Sequence, residues 1–351
     1  IEIILSFNNS SYTSYYASNY KNTVKKTDSE KDSTNTKDGN VTTSTVELKT
    51  SRPGVTKTEY DNKELCAFCE DVSVIVNCAG PSSEIQERIV QRCIEKDLPY
   101  VDVAGDDKLF AGIKSLLYEN QKSITCVLGA GVYPGLTECM IGYAKAVFGE
   151  KIEELKIFFG GNGVFSKNAI MDILNSIYSD VSYSRCYVKN GKCEKICGNP
   201  ISRWKSERSG KEFIGIPIVS EKFLKMSIKE KIPKVYFYNS YKDEIMLKEI
   251  LCLYAKYSQI KGDKKAEGNV IQELYDLYIN EQEKDQCYTI LKAIINEQKS
   301  IELVFNEDWN FLSGKVAGVI AQSILLGTYE KRCAFLQDVV NVEDLFSKVT
   351  K

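Results

Sequence analysis

Val72-Ser-Val-Ile-Val-Asn-Cys-Ala-Gly80-Pro81, Pro99-Tyr-Val-Asp-Val-Ala-Gly105-Asp106 and Ile124-Thr-Cys-Val-Leu-Gly129-Ala-Gly131 are three short apolar runs, each closing on glycine. Between them lie an amphipathic stretch from Ser83 to Asp97 and a helical pattern from Lys108 to Asn120. A further helix follows Val132-Tyr133-Pro134-Gly135. Apolar runs of strand length that alternate with helices predict parallel strands buried on both faces. Val72–Asn77, Tyr100–Val103 and Ile124–Leu128 should therefore be adjacent, with Gly80, Gly105 and Gly131 on one rim. Ligands of such sheets sit beyond the carboxyl ends of the strands, where these glycines lie. The stretch reads as half of a nucleotide-binding domain.

Composition narrows the rest. The 351 residues suffice for two domains, and 43% hydrophobic and 11% aromatic residues are values of a globular protein. A formal net charge of −2 with dispersed Lys and Arg points to neither nucleic acid nor an anionic membrane, and no apolar run spans a bilayer. Cys78, Cys126, Cys139 and Cys252 sit in apolar runs, and Cys66-Ala-Phe-Cys69 and Cys193-(x3)-Cys197 lack a second pair at zinc-site spacing. The expectation is reduced cytoplasmic thiols and no metal. The chain has no histidine, which removes Ser-His and Cys-His dyads. Proton transfer must then come from Tyr, Asp, Glu, Lys, Cys, water or substrate.

Outside the deciding stretch, Ile1–Leu5 looks like a strand and Tyr12–Tyr20 like a helix, whereas Thr27–Thr43 is polar and suggests a mobile excursion. Val46–Lys49 is a strand candidate, and Asn62–Glu70 a helix. Further along, Glu154–Phe159 and Lys234–Asn239 read as strands of a second sheet, and Ser166 as the N-cap of a helix over Lys167–Tyr178. Asn190-Gly191 centres a hairpin over Tyr183–Cys193. Ile245–Tyr257, the region Lys261–Ser300 and Ser313–Leu326 read as helical.

Val76-Asn-Cys-Ala-Gly80-Pro81, Tyr100-Val-Asp-Val-Ala-Gly105-Asp106 and Gly131-Val-Tyr-Pro-Gly135-Leu136, in this order and spacing, resemble successive motifs of the saccharopine dehydrogenase-like NAD(P)-dependent oxidoreductases. Phe165-Ser166 with Asp172, Asn190-Gly191 and the helix ending at Gly327 are similar to that family more loosely. The resemblance implies an α/β architecture: a Rossmann-type parallel sheet and a second α+β domain for substrate and dimerisation, so a homodimer is one state to test. The expected division is residues 1–133 for the nucleotide domain, 134–310 for the substrate domain, and 311–351 for a helical segment returning to the first. It also implies hydride transfer between NAD(P) and a C–N (imine or secondary amine) bond of an amino-acid-derived small molecule.

No Gly-x-Gly-x-x-Gly turn precedes these motifs. Ile1 is therefore expected to open the second strand of a sheet that lacks its first βα unit, leaving a vacant groove; a chain that never had the loop is the alternative. The cofactor should lie along Cys78, Ala79, Gly80, Pro81, Ala104 and Gly105, with Asn8 and Ser10 at the end of the opening strand. That end carries neither an acid for NAD ribose nor the arginine common in the family, and a small polar set leans towards NADP. Asp102 and Tyr133 are the candidates for proton relay, although a carboxylate in an apolar strand can also serve as a hydrogen-bond acceptor. Pro134 and Gly135 open a helix whose free N–H groups could take a carboxylate or phosphate. Arg185, Arg203 and Arg208 are candidates to grip a substrate carboxylate. A non-catalytic sensing or assembly protein on the same fold is the competing reading, and all four of Gly80, Asp102, Tyr133 and Gly135 should line one interdomain cleft.

Overall fold

The structure, a computed structural model, describes residues 2–5, 47–49, 62–70, 72–149, 151–177, 182–282 and 287–350. Asn8, Ser10, the expected helix at Tyr12–Tyr20 and the polar stretch Thr27–Thr43 lie outside them. Strands β1 (Glu2–Leu5), β2 (Glu47–Lys49), β3 (Val74–Asn77), β4 (Tyr100–Asp102) and β5 (Cys126–Leu128) form one parallel sheet. A late strand, Cys333–Phe335, joins its edge, giving the order late strand-β5-β4-β3-β1-β2. Ile75 pairs with Tyr100, and Tyr100 with Cys126, so the three deciding strands are adjacent and parallel as read. Each of β3, β4 and β5 is buried throughout, which explains why none alternates polar and apolar residues.

The opening strand departs from expectation. Ile3, Ile4 and Leu5 pair directly with Val74, Ile75 and Val76, while Glu2–Ile4 pair with β2 on the other side. No vacant groove separates β1 from β3. β1 takes the place that the first strand holds in the order 3-2-1-4-5-6.

Helices α1 (Asn62–Phe68), α2 (Ser82–Ile85), α3 (Arg88–Glu95) and α4 (Asp107–Glu119) belong to this half. The run read as one helix from Ser83 to Asp97 is broken at Gln86, whose φ is 47°. Asp106 caps α4 through its side chain to the Leu109 N–H at 2.7 Å. Helix α5 (Leu136–Phe148) then leads to a second sheet.

That sheet is built from β6 (Glu154–Gly161), β7 (Ser182–Ser184), β8 (Cys186–Lys189), β9 (Lys192–Lys195), β10 (Ser202–Lys205), β11 (Glu212–Ser220), β12 (Lys234–Tyr241), β13 (Thr289–Ile295) and β14 (Lys299–Phe305). Its order is β10-β11-β12-β6-β13-β14, with β7 on β11 and the β8–β9 hairpin on β12. Asn190 and Gly191 turn that hairpin with φ of 50° and 73°, the pair of positive angles that a two-residue I′ turn needs. Helices α6 (Lys167–Ile177), α7 (Glu221–Glu230), α8 (Glu244–Ile260) and α9 (Lys264–Gln282) pack around it.

The helical reading of Lys261–Ser300 holds only as far as Gln282. Thr289–Ile295 is a strand between β6 and β14, buried at six of its seven positions, so its apolar run carries no strand alternation. Helix α10 (Trp309–Leu325) begins four residues before the expected Ser313, because Asp308 accepts from the N–H groups of Asn310 and Phe311, both at 2.8 Å. The chain closes with β15 (Cys333–Phe335), paired to β5, and with α11 (Leu336–Val339) and α12 (Val342–Val349). One apolar cluster runs from Val76, Val101 and Val127 under the first sheet, through α5 and α10, to Leu155, Ile157 and Phe237 of the second.

Candidate functional site

Asn77 ends β3 and organises the first rim turn. Its Oδ1 accepts from the Ala79 N–H at 3.0 Å, an Asx turn at the point where the strand stops. Its Nδ2 donates to Asp102 Oδ2 and reaches the Tyr100 hydroxyl, both at 3.0 Å. Tyr100 and Asp102 share a strand face, and the phenol donates to the same carboxylate oxygen at 2.5 Å. The other oxygen accepts from the Ala104 N–H at 2.9 Å. Asp102 is thus 3% exposed and held by three donors. Desolvation raises its pKa despite the bonds from Tyr100, Asn77 and Ala104. Its enclosure and its three donors are those of a structural hydrogen-bond acceptor.

The second half of the molecule reaches over this rim at two places. From α6, Asn168 Nδ2 donates to the Gly80 carbonyl at 2.7 Å, and Asp172 Oδ2 accepts from the Ser82 N–H at 2.8 Å. Ser166 caps that helix through the Ala169 N–H, as its position suggested. From α7, the 7%-exposed Lys222 donates to the Gly105 carbonyl at 2.8 Å, and its ammonium stands 4.6 Å from the Phe335 ring centroid. Lys222 makes no ion pair among the described residues, and burial lowers its pKa. Asn77, Asn168 and Lys222 were not read from the sequence. Only Asn77 carried a local signal, an Asn one residue before a Cys-Ala-Gly-Pro turn.

The Gly129–Gly135 segment is a closed turn. Gly131 and Leu136 bond back through Pro134 O and Gly131 O at 3.2 and 3.0 Å, while Ser313 Oγ of α10 accepts from the Val132 N–H at 3.1 Å. The Gly135 N–H is not available to an anion, because Glu138 Oε2 accepts it at 2.7 Å. Thr137 and Cys139 N–H groups are likewise bonded to Val132 O and Gly135 O. The N–H groups around Pro134–Gly135 are thus engaged within the chain, and the glycines shape the backbone path. Gly135 has φ of 137°, and a Cβ there would collide with the Gly131 carbonyl oxygen.

Tyr133 behaves differently from Asp102. Its ring rests on Phe237, with centroids 4.9 Å apart, and on Phe159 at 6.1 Å, yet the residue is 37% exposed. Its hydroxyl has no hydrogen-bond partner among the described residues. Desolvation, then Glu138 and Tyr241, push its pKa upward, so the phenol stays protonated. Phe159, beneath Tyr133, also lines a recess at the carboxyl ends of β6 and β12, walled by Phe165, Tyr278, Tyr288 and Trp309.

The four residues expected to share a cleft are therefore not equivalent. Tyr133 has a solvent-facing surface and Gly80 a half-buried one, whereas Asp102 and Gly135 are enclosed. The arginines lie elsewhere. Arg203 on β10 pairs with Glu244, Arg185 reaches the Gly198 carbonyl at 3.4 Å, and Arg208 bonds the Glu302 carbonyl at 3.3 Å. None lines the aromatic recess. The described residues contain no cluster of three or more metal-ligating side chains.

For a dinucleotide, the described rim fits the nicotinamide half. Cys78, Ala79, Gly80, Ala104 and Gly105 carry no side chain larger than cysteine, and Cys78, Gly80 and Ala104 remain half-buried rather than enclosed. Asn8 and Ser10, expected at the ribose end of the cofactor, are outside the described residues.

No protein-family model matches the sequence, and no curated protein does. Among solved structures, apo saccharopine dehydrogenase (L-Glu forming) from Saccharomyces cerevisiae is similar with a TM-score of 0.61 at 12% identity, over 98% of this chain and 95% of that one. The DAP dehydrogenase of C. glutamicum, in complex with DAP, aligns over 99% and 98% of the two chains at 12% identity. Its TM-score of 0.38 is too low to carry an argument. No described helix is long and apolar enough to cross a membrane. The chain has the fold of saccharopine dehydrogenase, in line with the motifs from Val76 to Leu136.

Proposed function

We propose that this chain is an NAD(P)-dependent oxidoreductase acting on a C–N bond of an amino-acid-derived small molecule. The observation that carries the reading is Tyr133: a neutral phenol without a protein partner, between the glycine rim of the parallel sheet and the aromatic recess of the second sheet. Backbone at Cys78, Ala79, Gly80 and Ala104 would hold the nicotinamide half, Pro81 and Gly105 would shape the turns around it, and Asn8 and Ser10 would meet the ribose end. When bound, the cofactor supplies or accepts the hydride.

The chain's own contribution is positional and protic. Tyr133 holds a proton that it can lend to a substrate nitrogen, and stacking on Phe237 and Phe159 fixes the ring. Asp102 acts behind the rim by ordering Asn77, Tyr100 and the Ala104 turn. Asn168, Asp172 and Lys222 keep the second sheet against the rim, which limits water around the reacting bond. The lean towards NADP rests on the neutral Ser6–Ser11 segment.

The test is titration of the purified chain with NADH and NADPH, followed by fluorescence enhancement, and turnover of Tyr133→Phe. Saturable binding and a turnover loss of about 100-fold, in the range general acid catalysis contributes, are expected. A second reading, a non-catalytic sensor on this fold, is favoured by one observation: the first glycine of the chain is Gly39, so no glycine turn follows β1. Absence of nucleotide binding at millimolar concentration would select it.

A further inference from the structure

Two cysteines stand side by side at the edge of the parallel sheet. Cys333 opens the outermost strand, β15, and pairs in register with Cys126 on β5. Paired residues of a parallel ladder project from the same face, and both side chains enter the apolar cluster beneath α4. There the Cys126 thiol donates a hydrogen bond to the Cys333 sulfur. Their burial differs. Cys126 has no exposure, whereas Cys333 is half-buried and follows the exposed residues Glu330, Lys331 and Arg332. The bond from Cys126, aided by the Lys114 ammonium of α4, holds the Cys333 thiol below its ordinary pKa despite burial. That bond, together with burial, pushes Cys126 upward. The other neighbouring thiols lack this polarity: burial pushes Cys69, beside Cys66, up to about 11, and Cys193, beside Cys186, up to about 12.

We propose that Cys333 and Cys126 are a peroxide-reactive pair that closes into a reversible disulfide between β15 and β5. The half-buried Cys333 is the attacking thiol and the enclosed Cys126 the resolving one. The Cys333 thiolate takes one peroxide oxygen as the O–O bond breaks; it becomes a sulfenic acid, and the departing hydroxide is protonated to water. The Cys126 sulfur then attacks the Cys333 sulfur. An S–S bond forms, the S–OH bond breaks, and the hydroxyl leaves as water with the Cys126 proton. Two thiols have lost two electrons and two protons, and one hydrogen peroxide has become two waters. The reach is adequate, since neighbouring strands lie about 4.7–4.9 Å apart and disulfides span Cα separations of roughly 4.4–6.8 Å. The Cβ atoms must close to roughly 3.5–4.5 Å, a shift open to a residue that begins an edge strand. The bond ties down the strand whose Phe335 stacks on Phe110 at 5.1 Å and faces the Lys222 ammonium. Neither thiol belongs to the proposed cofactor rim, so the outcome is independent of the oxidoreductase reading.

The experiment treats the reduced full chain with hydrogen peroxide, blocks the remaining thiols with iodoacetamide and maps peptides by mass without reductant. The Cys126 and Cys333 peptides should appear joined, two hydrogens lighter than their sum, and should separate again in dithiothreitol. Exposed Cys197 and Cys252 report ordinary thiol reactivity and should still be alkylated when the pair has closed. Cys333→Ser should abolish the link and leave the buried Cys126 unoxidised. Cys126→Ala removes the resolving thiol, so Cys333 should accumulate as a sulfenic acid that dimedone traps. Far-UV circular dichroism establishes that each variant is folded, and Cys333→Ser, at the half-buried position, carries the test where Cys126→Ala does not fold. Oxidation of Cys197 or Cys252 while Cys126 and Cys333 both stay reduced overturns the inference. So does a Cys333 that proceeds to sulfinic acid in the parent chain without linking to Cys126.

Discussion

Asp102 and Tyr133 were equal candidates on sequence, and burial separates them. Asp102 accepts from Tyr100, Asn77 and Ala104 inside the rim, while the Tyr133 hydroxyl has no such engagement. The fold favours the protonated form of Asp102, because desolvation raises its pKa. Between the ordinary carboxylate pKa and that raised value, the folded state binds more protons than the unfolded one, so stability falls as pH rises through this window. Urea unfolding from pH 3 upward should show that decline, and Asp102→Asn should flatten it relative to the parent. Equal slopes in the two proteins would mean that Asp102 titrates as an exposed carboxylate. Lys222 runs the other way. Burial lowers its pKa, so its contribution to stability is fully present above the ordinary lysine value and is lost as pH falls through the lowered one.

At the scale of elements, the turn from Gly129 to Gly135 shows how a motif's place can be read from residue order while its hydrogen bonding cannot. The glycines stand where a strand passes into a helix, and that much is visible in the residue order. Whether the helix N–H groups face a ligand depends on Glu138, which folds back onto the Gly135 N–H, and on Ser313 from a helix 181 residues away. Gly135→Ala should cost more than about 2 kcal/mol, since it combines a φ forbidden to side chains with a clash on backbone. Thermal melting checks this. A variant with parental melting temperature would show that the turn has room to relax. The same logic sorts the other elements. β3, β4, β5, the Asn190–Gly191 hairpin and the Ser166 cap are local, and they follow from runs, turn residues and caps. β13 was hidden because burial on both faces erases its alternation, and the start of α10 because its cap, Asp308, precedes the small-residue pattern. The recess could not be read at all: Phe165, Tyr278, Tyr288 and Trp309 come from four separate segments, and each alone looks like a core aromatic.

For the whole molecule, the two sheets share one apolar cluster among the described residues. Helix α10 starts in the recess with Trp309, bonds the Gly131–Val132 turn through Ser313, and buries Leu312, Val316 and Ile320 in the cluster shared by both sheets. Two sheets that hinged freely would keep separate cores on either side of their cleft. Here the rim contacts of Asn168, Asp172 and Lys222 add to a common apolar interior, so the sheets should unfold together. Leu312→Ala, at a position with no exposure, should lose about 2–5 kcal/mol. In denaturant, Trp204 fluorescence from the second sheet and hydrogen exchange at Val76 and Val127 in the first should shift by the same amount. Should Leu312→Ala instead split the transition, with Trp204 unfolding apart from Val76, the sheets would be separate cooperative units. The rim contacts would then be a latch that opens on its own.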